Sequence, residues 1–69
     1  MNNSKEIIMQ ELASHPCDLP LAIAALLRNG WAYPNAVTDA AVALDELTEE
    51  GRAEKRRGVW QVTTKKARK

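Results

Sequence analysis

Residues 44–63 read LDELTEEGRAEKRRGVWQVT. Leu44 and Leu47 are three apart, the spacing of neighbours on one helical face. Thr48, Glu49 and Glu50 carry the helix to Gly51, and glycine is the usual residue just past a helix end. Arg52 to Arg56 then reads as a strand, Arg57-Gly58 as a tight turn and Val59 to Thr63 as a returning strand. Along that strand Trp60 and Val62 share one face, with Gln61 and Thr63 on the other. This end of the chain is therefore a helix, a glycine stop and a basic β-hairpin.

Working back toward the N-terminus, two further helices precede this unit. Residues 4–14 place Ile8 and Leu12 four apart with Ile7 beside them, and Met9 and Ala13 widen the apolar stripe. Ser4 is the expected cap and Pro16 the stop. Residues 15–19 are a break with little periodicity. Asp18 or Leu19 opens the second helix, with Pro20 in its first turn, where a missing N–H costs little. Ile23, Leu26 and Leu27 are its expected buried face, and Asn29-Gly30 its end. Trp31-Ala32-Tyr33-Pro34 reads as a connection, not a helix, and the stretch from Leu27 to Asn35 exceeds the few residues of a tight turn between two helices. Asn35 is the expected cap of a third helix running to Glu50, with Val37, Ala40 or Ala41, Leu44 and Leu47 inward. The expected fold class is α+β, mainly α, in one domain over residues 1–63. Residues 64–69 form a basic tail expected to be disordered.

Size and composition bound the function. A chain of 69 residues has room for one thin core. Such a core supplies roughly 3–5 kcal/mol. The aromatics are Trp31, Tyr33 and Trp60, with no Phe, so Trp60 is expected to contribute heavily. The single Cys17 excludes an internal disulfide and favours a reducing, cytoplasmic setting. It reads as a small half-buried hydrophobe rather than a redox sensor. His15 reads as a surface residue. No metal-ligand spacing is evident, and no cofactor is expected. The apolar run at residues 19–27 is too short to span a membrane. No paired acids, catalytic triad or phosphate loop occurs, so an enzyme is not expected.

Charge is strongly segregated. Residues 1–50 carry two basic groups, Lys5 and Arg28, against eight acidic ones, a net of −6. Residues 51–69 carry eight basic groups against Glu54 alone, a net of +7. Such a split marks a contact surface for a polyanion.

The order helix, helix, helix, basic hairpin resembles a winged helix-turn-helix with a two-stranded β-hairpin wing. It is similar to small bacterial or phage DNA-binding regulators of the pap-type fimbrial, MarR-like or GntR-like kind. The residues that carry the resemblance are Leu44, Leu47, Glu49, Glu50, Gly51, the basic stretch 52–58 and Trp60. It implies a short strand between the first two helices that pairs with the wing, for which only Cys17 to Leu19 could serve. It also implies a transcriptional regulator of double-stranded DNA, with the third helix in the major groove and the wing on phosphates. On these positions Asn35, Thr38 and Asp39 would meet bases or phosphates, with Ala36 and Val42 available to a thymine methyl. Arg52, Lys55, Arg56, Arg57, Lys65 and Lys66 would hold the backbone. A homodimer or a neighbouring DNA-bound regulator would add affinity. The third helix carries five acids and no Lys or Arg, which makes a protein-interaction adaptor on the same fold the alternative, with Trp31, Tyr33 and Val42 as contacts.

Overall fold

The computed structural model describes residues 3–63. Its elements are α1 (Ser4–Ser14), β1 (Cys17–Asp18), α2 (Leu19–Arg28), α3 (Tyr33–Glu49), β2 (Ala53–Arg56) and β3 (Val59–Val62). The strands form one antiparallel sheet in the order β1-β3-β2. The sheet thus has three strands rather than the two of the expected hairpin alone, because Cys17 and Asp18, within the stretch expected to supply a short strand, pair with Trp60 and Val59. Lys65 and Lys66, and the tail they belong to, lie outside the described residues. Among the described residues no helix is long and apolar enough to cross a membrane.

Each helix end has a local chemical cause. Asn3, not Ser4, caps α1: its backbone is extended and its Oδ1 accepts the Glu6 N–H at 2.9 Å. Asp18 ends β1 and caps α2, accepting the Leu21 N–H at 3.0 Å. Strand and helix therefore join without a loop. The third helix begins at Tyr33, two residues before the expected Asn35. Pro34 sits in its first turn, where its fixed φ suits a helix and its absent N–H is not needed. The α2–α3 connection is consequently only residues 29–32, the length of a compact helix-turn-helix turn.

Two helices close in the same way. At the end of α2 the Trp31 N–H reaches the Leu26 carbonyl and the Gly30 N–H the Leu27 carbonyl, both at 3.1 Å. At the end of α3 the Arg52 N–H reaches Leu47 at 2.9 Å and the Gly51 N–H reaches Thr48 at 3.1 Å. This 6→1 and 5→2 pair is the Schellman closure, which needs a left-handed residue at its bend. Gly51 has φ +80°, and a Cβ built there meets no atom within 4 Å. Gly51→Ala is therefore expected to lose stability through backbone strain alone, by about 1 kcal/mol, read from the urea midpoint.

The core is aliphatic and rich in alanine. Ile8, Leu26, Leu44, Leu47 and Cys17 are its largest fully buried side chains, and Ala22, Ala25, Ala36, Ala40, Ala43 and Ala53 complete its floor. On α2 the buried line is Ala22, Ala25 and Leu26, one residue round from the expected Ile23, Leu26 and Leu27. The alanines face inward and let the helices approach closely, so Leu27 is left 39% exposed. Trp60 lies half-buried at the core's edge with Ile23, Trp31 and Val62, not at its centre. On the outside, Lys5 bonds Glu50 and ties α1 to the end of α3. That hydrogen bond holds the Glu50 carboxyl below its usual range and raises the Lys5 ammonium.

Candidate nucleic-acid interface

The hairpin is built for a tight reversal. Arg56 pairs with Val59, and the turn between them is Arg57-Gly58. Both turn residues have positive φ, +54° and +80°. Two such residues make the two-residue turn whose twist matches paired strands, a position that favours Asn or Gly. Arg57 is thus an arginine held in left-handed backbone. The base of the hairpin is closed by the Thr63 N–H on the Arg52 carbonyl at 3.2 Å.

The cations along this hairpin differ in availability. Arg52, at its root, lies 3.4 Å from Glu50 and has part of its charge answered there. The Lys55 ammonium sits 4.8 Å over the Trp60 ring, its cross-strand partner. The Trp60 indole N–H in turn donates to Thr48 on α3 at 3.2 Å. Glu54 accepts from Gln61 at 2.6 Å. Among the described residues Arg56 and Arg57 are exposed and form no ion pair. Positive charge is thus least answered at the hairpin tip and partly answered at its root.

On α3, Asn35, Thr38, Val42 and Asp45 are all exposed. Their spacing of three, four and three places them in one line along the helix. This line runs beside a groove lined by Leu19, Ala41, Val42, Asp45 and Trp60. Trp60 reaches this groove from β3 and bonds Thr48 in the last turn of α3, while β2 is the strand that packs on that helix. Arg56 and Arg57 lie at the hairpin tip, beyond the Lys55↔Trp60 rung that reaches the groove. Arg52 does not join them: it follows the far end of α3, about 20 Å of helix from Asn35.

Two members of the expected reading face sit elsewhere. Ala36 is fully buried in the core, so it has no surface for a thymine methyl. Asp39 is half-buried, and its Oδ2 accepts the Trp31 indole N–H at 2.6 Å. That bond docks the α2–α3 turn on α3. Thr38 leans on its own helix, donating to the Pro34 carbonyl at 3.4 Å, which leaves its oxygen free to accept. No side chain caps the first turn of α3.

A second grouping was not legible as a motif. Glu11, His15 and Cys17 bring one donor atom each to within 4.8 Å of one another. Glu11 and His15 are an i, i+4 pair at the end of α1, and Cys17 follows after the Pro16 turn. Cys17 is fully buried rather than half-buried; burial, with Glu11 and Asp18 nearby, pushes its thiol above the usual range. Comparison of the chain with protein-family models, curated proteins and solved structures finds no match.

Proposed function

We propose that this protein is a winged helix-turn-helix regulator that binds double-stranded DNA, with α3 in the major groove and the β2–β3 hairpin as its wing. The observation that carries the reading is a groove shared by α3 and the basic hairpin. The exposed Asn35–Thr38–Val42 stripe of α3 meets, at Val42, a groove shared with Trp60 of a hairpin whose tip holds two arginines without acid partners among the described residues. The element order and the four-residue α2–α3 connection agree with that architecture. Arg57 adds a further reason. An arginine in left-handed backbone costs stability, and such strain is kept where the side chain has a task.

In this reading Asn35 and Thr38 supply hydrogen bonds to bases or sugar-phosphate, and Val42 supplies an apolar contact. Lys55, Arg56, Arg57 and the tail residues Lys65 and Lys66 neutralise phosphates. Five such contacts give a slope of log affinity against log salt near −4 to −5. An amide-shift titration of the whole chain with random duplex DNA, at 50 mM and 200 mM salt, tests this. Shifts at the hairpin tip and the α3 stripe that fade with salt support the reading, and their absence at low salt ends it.

Arg57→Asn separates the task of the side chain from the strain of its backbone. Asparagine tolerates left-handed φ, so the variant is expected to gain about 0.5–1 kcal/mol of stability. It is expected to lose DNA affinity evenly across sequences, with a salt slope shallower by about one. Thermal melts and anisotropy titrations read the two effects separately.

A protein-interaction role is the second reading. It is supported by apolar side chains left in solvent on α2 and α3: Leu21, Leu27, Val42 and Tyr33, the last 65% exposed. Pro20, Ile23, Ala24, Leu27 and Tyr33 line a shallow groove between these helices. The same face is suited to a second copy of the chain bound at an adjacent half-site, which would raise affinity through effective concentration.

A further inference from the structure

We propose that Glu11, His15 and Cys17 form a site for a divalent cation of the zinc class. This inference is independent of the DNA reading. The three side chains offer a carboxylate, an imidazole and a thiolate, and they are the one such group among the described residues. Glu11 Oε2 is 3.2 Å from His15 Nε2, and Cys17 Sγ is 3.6 Å from His15 Nδ1. Zinc bonds of 2.0–2.3 Å in a tetrahedron require ligand atoms about 3.3–3.8 Å apart. These contacts run to different ring nitrogens, and Nδ1 also faces the Pro16 carbonyl at 3.0 Å, so the exposed imidazole must turn until one nitrogen serves the centre. One oxygen, one nitrogen and one sulfur already lie within 4.8 Å of one another, and they draw together as the ion binds.

Local structure explains the convergence. His15 is the C-cap of α1, and its N–H still bonds the Glu11 carbonyl at 3.1 Å. Glu11 stands one turn below it. Pro16 ends the helix, and Cys17 turns inward as the first residue of β1. Cys17 is 1% exposed and the His15 side chain 47%, so the imidazole is the solvent-facing door to the sulfur. Water takes the fourth position on that side. Arg28 bonds Glu11 Oε2 at 2.9 Å and leaves Oε1 open. Its side chain is 60% exposed and can move away from an arriving cation with little loss.

The donor set selects the ion. A thiolate with an imidazole favours zinc and its neighbours over magnesium or calcium, which prefer oxygen alone. On binding, the Sγ–H bond breaks, the proton passes to solvent, and the sulfur lone pair forms the metal bond. The occupied site would tie the end of α1 to β1, and through the Cys17↔Trp60 pairing to the hairpin.

Cobalt(II) is the probe, added to the metal-free full chain under reducing conditions. The expected result is a thiolate-to-cobalt absorption that saturates at one equivalent, is displaced by zinc and is unaffected by excess magnesium. Cys17→Ser is expected to lose that absorption. His15→Ala and Glu11→Gln alter exposed or half-exposed positions and should fold, checked by circular dichroism. Each is expected to bind at least about tenfold more weakly. The proposal is overturned if one equivalent of cobalt gives no thiolate absorption, or if folded His15→Ala binds cobalt as tightly as the wild-type chain.

Discussion

Replacing Arg56 and Arg57 together with glutamate is expected to lower affinity for any duplex DNA by about a hundredfold or more at 0.1 M salt. Each lost phosphate contact removes about 0.9 from the slope of log affinity against log salt, so the slope becomes shallower by about two. Reversal goes further than removal, because a carboxylate beside a phosphate is repelled. The fold should be untouched: both side chains are exposed and form no ion pair among the described residues, and glutamate is no worse than arginine at the left-handed position of residue 57. Anisotropy titrations over a salt series, with a thermal melt as control, read the effect. A double variant that melts normally and binds DNA as the wild type does would remove the hairpin from the interface.

The largest expected loss of stability belongs to Leu44→Ala. Leu44 is fully buried on α3, the element that packs on α1, α2 and β2. Truncation of a buried leucine costs about 2–5 kcal/mol, combining lost transfer energy with the cavity left behind. A core of this size supplies roughly 3–5 kcal/mol in total, so the variant should be largely unfolded at 25 °C or unfold on slight warming. The alanine-lined surroundings sharpen the effect, since small side chains cannot reach in to fill the void. Val42→Ala, two residues earlier and 48% exposed, should change stability by only about 0.5 kcal/mol. Denaturant melts of the two variants compare the inside and outside of one helix. Equal losses would mean that α3 does not sit as described.

The features legible in the sequence are those with local causes. Asp18 as a cap, Asn29-Gly30 and Gly51 as stops, and the reversal at Arg57-Gly58 each follow from a residue's own conformational preference. The misplacements have a common origin in context. Pro34 reads as a break until the chain is seen to start a helix around it. The α2 stripe was assigned to its largest side chains, but close helix approach turned its alanines inward. A two-residue strand has almost no signal of its own; β1 exists because β3 offers it an edge.

The candidate site was legible by charge and less so by geometry. The basic hairpin announces itself, whereas Arg52's contact with Glu50 depends on how the glycine closure folds the chain back. Asp39 looked like an outward acid because its partner, Trp31, is eight residues earlier across a turn. The Glu11, His15 and Cys17 grouping crosses a helix end. The i, i+4 pair of acid and imidazole was its only linear trace, and Pro16 brings the sulfur round to it.

The short strand β1 has a mechanical consequence for the arginine tip. Asp18 pairs with Val59, and Val59 pairs with Arg56, so the last rung before the turn is braced from both flanks. Because Asp18 also starts α2, that brace is anchored in the helical body with no slack between them. Only the two turn residues overhang. Arg56 thus stands on a paired rung and Arg57 on a two-residue turn closed by that rung, so engaging a ligand there costs mainly side-chain rotations.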